Sequence, residues 1–166
     1  MTTPGSLTAS VLLCDHAQVW QGKLFVSGAG INLLGAGDQV PPYGIAVHLA
    51  IVVTVPWSAH NQQHTLKVTL LTADGAPVEM DGLVLPPGAP ETDRGRLIAT
   101  FTAGRGPHMQ PGDESLMPVA LPVQARVPAL DAYSLIAEID DTEVGRAGFR
   151  VTAMHPTMFG QQPPMS

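Results

Sequence analysis

Charged residues are scarce in this chain of 166 residues: Asp, Glu, Lys and Arg together make up 13% of it, about half of their usual share. Amphipathic surface helices need a charged or polar face, so this scarcity argues against a helical protein. The 17 glycines and 16 prolines favour many short strands joined by turns, which is the usual composition of a β-sandwich or a β-barrel.

Basic residues never form a run, and the net charge is −6. Nucleic-acid-binding surfaces need clustered Lys and Arg, so we expect no nucleic acid partner. The chain also has no apolar run of about 18 residues. Its first lysine is Lys23. We therefore expect neither contact with a membrane nor a secretory signal peptide.

The chain has one cysteine, Cys14, and therefore no partner for an internal disulfide. A lone thiol suits a reducing compartment, so the expected localisation is cytoplasmic. The length fits one domain. We expect a flexible N-terminal lead at 1–6, a single β-sandwich domain at 7–154, and a Pro/Gln/Met-rich C-terminal tail at 155–166.

Alternating apolar residues mark the clearest strands. Within residues 43–55, one face with a period of two carries Ile45, Val47, Leu49, Ile51 and Val53. Residues 115–127 contain Pro118 and Pro122 and are expected to form an edge strand or an extended run. The predicted fold is all-β: an antiparallel β-sandwich, immunoglobulin-like or jelly-roll-like, with seven to eight short strands and little or no helix.

A thiol, a carboxylate and an imidazole follow one another at Cys14, Asp15 and His16. On a strand, Cys14 and His16 point to one face and Asp15 to the other, so the three groups cannot converge. No Lys or Arg precedes Lys23 to lower the pKa of the thiol. We expect Cys14 to be a small core residue. Asp15 and His16 then begin a turn, and the stretch QGKLFVSG forms the returning part of a hairpin.

Two histidines, His60 and His64, have the spacing of metal ligands on one helix face. The segment lies between Pro56 and a strong strand pattern, and the residues between the histidines supply no general base and no third ligand. No catalytic, cofactor-binding or metal-binding residue is therefore predicted, and no cofactor is expected. Convergence of histidines from separate strands remains an open alternative.

Methionines and aromatic residues recur in the polar loops and in the tail, at Trp57, Met80, Met109, Met154, Met158, Phe159 and Met165. Such residues outside the core are typical of contact surfaces. The residues predicted to form a contact surface are Trp57, Met109, Met158 and Phe159. The alternative, that the tail folds back over its own domain, stays open.

The stretch from Leu12 to Ile31, LLCDHAQVWQGKLFVSGAGI, resembles the opening of a small, uncharacterised bacterial family of β-sandwich domains. The matching positions are Asp15, Gly22-Lys23-Leu24 and Gly28. Two later segments, HTLKVTLLTADG and YSLIAEIDDTEVG with the following FRVTAM, fit the middle and the end of that family. The resemblance implies a β-sandwich in a bacterial, cytosolic setting, and it implies no activity and no site residues.

These observations predict a protein that is not an enzyme and works by contact, as an interaction or assembly subunit in a homo-oligomer or a larger complex. The partner is a second copy or another protein. A second hypothesis is a module that binds a small molecule in a pocket formed by the loops Gly28–Tyr43 and Gly104–Glu114. A third is a metal-dependent enzyme that uses histidines brought together by the fold.

Overall fold

The computed structural model describes residues 5–153. Helix in this range is limited to two 3₁₀ turns, Trp57–Ala59 and Glu91–Asp93, so the all-β prediction is confirmed. The strands are β1 Thr8–Cys14, β2 His16–Trp20, β3 Lys23–Ser27, β4 Leu33–Ala36, β5 Tyr43–Val55, β6 Gln63–Thr72, β7 Pro77–Val78, β8 Leu97–Thr102, β9 Ser115–Val127, β10 Ala132–Ile139 and β11 Thr142–Ala153.

The predicted count of seven to eight strands is wrong, because the described residues form eleven. Three of the eleven, β2, β4 and β7, carry no clear alternation of their own. β2 is separated from β1 by a bend at Asp15 within one apolar stretch. β4 lies in a glycine-rich segment, and β7 has only two residues. Short strands of this kind are held by their neighbours rather than by their own sequence pattern.

Two larger sheets contain most of the strands. One has the order β1-β5-β9 and is antiparallel throughout. The other has the order β4-β11-β10-β6-β7, and β8 also pairs with β6. Its strands are antiparallel except for the parallel pairing of β4 with β11. The expectation that residues 115–127 form an edge strand is confirmed, since β9 pairs with β5 on one side and ends the first sheet of the described chain.

A single apolar core joins the two larger sheets. The predicted inner face of β5 is buried at each of its five positions, because every second side chain of a strand points to the same side. It shares one cluster with the inward residues of β6 and β10, which are Leu66, Val68, Leu70, Leu135, Ala137 and Ile139. Met80 joins this core as well, so its assignment to a polar loop is wrong.

The hairpin formed by β2 and β3 is a third, smaller sheet. It packs on the side of the β1-β5-β9 sheet that faces away from the main core. Its contact there is a small cluster of Cys14, Ala17, Leu24, Ala50 and Ala120. Small side chains at the interface let the hairpin approach the sheet closely.

Among the described residues, no helix is long and apolar enough to cross a membrane. The expected lead at 1–6 and the expected tail at 155–166 fall largely or wholly outside the described residues. So do Met154, Met158, Phe159 and Met165.

Candidate functional site

The pairing of β5 with β9 places a histidine beside a serine at one end of the molecule. Val55, the last residue of β5, is in register with Ser115, the first residue of β9. The 3₁₀ turn that follows β5 then carries His60 back over this end. Its Nε2 lies 2.7 Å from the Ser115 Oγ, and the His60 residue is 2% exposed.

The hydrogen bonds of His60 define where its protons lie. Nδ1 is 2.9 Å from the carbonyl oxygen of Pro56, and a carbonyl can only accept, so Nδ1 carries a proton. When the ring is neutral, Nε2 is therefore unprotonated and accepts the hydroxyl proton of Ser115. When the ring is protonated, Nε2 donates to the Ser115 oxygen, and the hydroxyl can turn to the Met109 Sδ at 3.6 Å.

Two of the four predicted contact residues surround this His60–Ser115 pair. Met109 is half-buried against Ser115, and the half-buried ring of Trp57 has its centroid 6.1 Å from that of His60. The guanidinium of Arg105 lies 4.0 Å above the Trp57 ring and donates to the Trp57 carbonyl at 3.1 Å. The structure thus brings Trp57 and Met109 together, while Met158 and Phe159 lie outside the described residues.

The second histidine of this segment, His64, is held in a different way. Its Nδ1 lies 2.6 Å from the Asp140 Oδ2 and its Nε2 lies 2.8 Å from the carbonyl oxygen of Ala59. Both partners can accept, so the ring makes both hydrogen bonds as a donor when each nitrogen carries a proton. Burial opposes the charge, but the bonds to Ala59 and Asp140 outweigh it and raise the pKa of His64. The same hydrogen bond, with one from the Thr65 N–H, lowers the pKa of Asp140.

The spacing of His60 and His64 suggested metal ligands, but both are engaged by other groups. His60 bonds to Pro56 and Ser115, and His64 bonds to Asp140 and Ala59. Within residues 5–153, no group of three or more His, Cys, Asp or Glu side chains is placed to hold a metal ion.

The stretch Cys14-Asp15-His16 is divided by the bend between β1 and β2. Cys14 is fully buried in the cluster under the hairpin, as predicted. Burial, and after it the negative charge of Asp15, raises the pKa of its thiol, so the thiol is poorly suited to act as a nucleophile. After the bend, His16 begins the exposed hairpin, where its ring lies 4.8 Å from that of His48.

The hairpin exposes apolar side chains that the sequence interpretation did not single out. Trp20 is 64% exposed and Phe25 48%, and Val19 and Val26 are also exposed. Trp20 is in register with Lys23 and Phe25 with Gln18, so the two aromatic rings are diagonal neighbours on the outer face. Val19 pairs with Leu24 and Val26 with Ala17, so these two valines lie on the opposite face of the hairpin from the rings. We call Trp20 and Phe25 the hairpin surface. The available signal was VWQGKLFV, in which neither face of the two strands is predominantly polar.

The loops Gly28–Tyr43 and Gly104–Glu114 lie at opposite ends of β5, so the pocket predicted between them is wrong. The first loop leads into the start of β5 at Tyr43. The second leads into Ser115 of β9, which is opposite Val55 at the end of β5. The first loop alone borders a shallow depression of about 420 Å³. Its lining includes Gly35, Gly37, Asp38, Gly44, Asp81, Gln124 and Arg126.

Comparisons with known proteins give a family and a distant structural likeness. A family model described as "Family of unknown function (DUF6941)" matches residues 9–152. No curated protein matches the chain. Among solved structures, a β-glucuronidase from glycoside hydrolase family 2 is similar with 12% identity and a TM-score of 0.36. The match covers 72% of this chain and 11% of that one, so the chain spans about a tenth of the length of that structure.

Proposed function

The chain belongs to the family of unknown function DUF6941, and we propose from its own geometry that it works by protein–protein contact, through the hairpin surface. The expected membership in a family without known function is confirmed. The observation that carries the proposal is the exposure of Trp20 and Phe25 side by side on a two-stranded sheet. Tryptophan and other aromatic residues contribute strongly to binding at protein interfaces.

The exposed apolar area supports a docking role for the hairpin surface. With about 150–250 Å² for an aromatic side chain, the exposed fractions of its two rings amount to about 200 Å² per copy. This is about a quarter of the 800 Å² per partner that a standard interface buries. The two rings would therefore form the apolar centre of a larger contact, with polar residues of the same face around them.

The partner that we propose is a second copy of this chain. Within His16–Ser27 the only Lys, Arg, Asp or Glu is Lys23, although the whole chain has a net charge of −6. Two acidic copies therefore repel each other least when they approach through their hairpins. A two-fold axis would bring the same surface of both copies together, as in most homodimers.

The rest of the molecule serves as the support for this surface. We propose that the two larger sheets with their common core form a β-sandwich on which the hairpin is mounted. We also propose a cytoplasmic setting, since the buried and unpaired Cys14 is compatible with a reducing compartment.

Native mass spectrometry of the full chain tests the contact function. We expect a dimer for the unchanged protein and a monomer for the double variant Trp20→Ser, Phe25→Ser. The control is Val84→Ser, which removes an 88% exposed side chain from a loop and should leave the dimer intact. Circular dichroism checks that all variants fold.

Three outcomes of this experiment differ in meaning. A dimer that persists in the double variant contradicts the hairpin surface as the interface. A complex with a different protein from the native host, lost in the double variant, keeps the contact function and replaces the second copy as partner. A monomer that binds nothing through the hairpin overturns the proposal.

The small-molecule alternative is supported by the depression at the start of β5. There the Asp38 carboxylate accepts a hydrogen bond of 2.8 Å from the Gly44 N–H and lies 3.8 Å from the Arg126 guanidinium. Two glycines of the lining, Gly35 and Gly37, present no side chain to a ligand. A rise in melting temperature with a polar metabolite, lost in Arg126→Ala, would favour this function over the contact function.

A further inference from the structure

A serine and a buried histidine within hydrogen-bond distance form an arrangement that the contact function does not use. The His60–Ser115 pair lies at the end of β5, where Ser115 is in register with Val55 on the core side of the sheet. The hairpin covers the other side of the same sheet, over Ala50 and Ala120. The two surfaces can therefore be changed independently.

We propose that Ser115 is a nucleophile activated by His60, and that this end of the molecule transfers acyl groups from small esters. Two features carry the proposal. The Ser115 Oγ and the His60 Nε2 are 2.7 Å apart, which is the distance for direct proton transfer. The Nδ1–H bond to the Pro56 carbonyl fixes the ring so that Nε2 is the basic nitrogen.

The hydrogen bond at Nδ1 orients the His60 ring, and orientation of the base distinguishes this pair from a serine and a histidine that merely touch. In serine hydrolases a third group holds Nδ1–H and keeps the histidine in the correct tautomer. Here the backbone carbonyl of Pro56 takes that position. Because His60 is 2% exposed, water competes little for its ring, whereas the residue Ser115 is only half-buried.

The reaction that follows from this geometry is the hydrolysis of an ester, and it needs water as its only other reactant. The Ser115 oxygen attacks the ester carbonyl carbon, and its proton passes to the His60 Nε2. A new carbon–oxygen bond forms, the bond to the leaving alcohol breaks, and the proton moves from Nε2 to the departing oxygen. Water then hydrolyses the acyl-serine, with the same nitrogen as base.

The surroundings indicate which esters would bind. Arg105 lies stacked on Trp57, and the Trp57 ring is itself next to His60. A guanidinium has five N–H donors, and one of them donates to the Trp57 carbonyl. A carboxylate is the group that a guanidinium recognises best. The substrate class is therefore a short ester that carries a carboxylate away from its reacting carbonyl.

A fluorophosphonate reagent and intact-protein mass spectrometry test the nucleophile directly. The reagent phosphonylates an activated serine with loss of fluoride. We expect one adduct on the full-length protein, located at Ser115 by peptide mapping and absent in Ser115→Ala. Ser58→Ala, which changes an exposed serine of the same end, is the control and should label like the unchanged protein.

His60→Gln should slow labelling by about 10²–10⁴-fold, the usual contribution of a general base. Hydrolysis of mono-p-nitrophenyl succinate should exceed that of p-nitrophenyl acetate, and Arg105→Ala should remove this preference. An unchanged protein without an adduct at Ser115 overturns the proposal, whether or not the His60 variant folds. Equal labelling of a folded His60→Gln variant overturns it as well. Success would also reverse the expectation that the chain is not an enzyme.

Discussion

The buried imidazolium of His64 makes the stability of this fold depend on pH in a specific direction. Its pKa is raised above the ordinary value of 6.5, so the folded state holds its proton more tightly than the unfolded chain. The stabilisation is therefore fully present below pH 6.5 and is lost as the pH rises through the pKa of the folded state. The pKa of Asp140 is lowered from 3.8, so its contribution is present above that pH and is lost as the pH falls through the folded value.

Asp140→Asn is the change that isolates this interaction. Asp140 has a φ of 50° in the turn between β10 and β11, a conformation that asparagine tolerates well. The amide oxygen can still accept from the Thr65 N–H, and the amide nitrogen can donate to the Nδ1 of a neutral His64. The variant therefore satisfies the uncharged ring and leaves the imidazolium without its carboxylate.

The expected magnitude follows from the exposure of the pair. A hydrogen bond to a charged group contributes about 1.5–3 kcal/mol. Because the Asp140 side chain is 49% exposed, solvent screening reduces this to about 1–2 kcal/mol. Asp140→Asn should lower the free energy of unfolding by that amount near pH 5.5. The difference should shrink as the pH rises above the folded pKa of His64.

Urea denaturation at several values between pH 5 and pH 9, with an NMR titration of His64, measures this effect. The control is Asp141→Asn, which changes the next residue of the same turn, also at positive φ. That side chain lies 3.7 Å from the Lys67 Nζ and is almost fully exposed. A difference between Asp140→Asn and the unchanged protein that stays constant across this range would refute the reasoning. So would a His64 that titrates at or below its ordinary pKa.

Two further predictions concern close packing. A Cβ at Gly145 would lie 2.8 Å from Val11 Cγ2 and 2.9 Å from the Ala9 carbonyl. We therefore expect Gly145→Ala to lower the free energy of unfolding by about 1–3 kcal/mol. The control Gly148→Ala, whose added Cβ would meet no atom nearer than 3.9 Å, should lower it clearly less. Equal urea midpoints for the two variants would contradict this. The thiol of Cys14 should not react with Ellman's reagent until the protein is unfolded, because it is fully buried and burial raises its pKa. Rapid reaction of the folded protein would show that the hairpin does not cover it.

The strands with strict alternation could be predicted from the sequence, and the others could not. In β5 every second residue is apolar and faces the core, so the apolar positions of the sequence are the buried positions of the strand. β4 and β7 are too short for a pattern. The pairing of β4 with β11 also depends on a partner far along the sequence, whereas β7 pairs with β6 directly before it. The turn between β10 and β11 is closed by Asp140 and Asp141, which both adopt positive φ.

The candidate site depends on pairings that local sequence does not contain. Ser115 lies opposite Val55 at the end of β5, although the two residues are 60 positions apart in the sequence. No motif near Ser115 marks it as a partner of His60. The acceptor for His64 likewise comes from Asp140, 76 positions away. Their type and spacing made both histidines candidate metal ligands. Only the structure shows that His60 contacts a serine and His64 a carboxylate.

The small residues beneath the hairpin connect the fold to the proposed contact function. Cys14, Ala50 and Ala120 come from three strands of one sheet and meet Ala17 and Leu24 of the hairpin. Long apolar side chains at these positions would bury more surface, but they would lift the hairpin away from the sheet. A sheet that carries a second layer on its outer side therefore needs small side chains there. This requirement accounts for the small, buried cysteine at this position, and it leaves the rings of Trp20 and Phe25 exposed on the outer side of the hairpin.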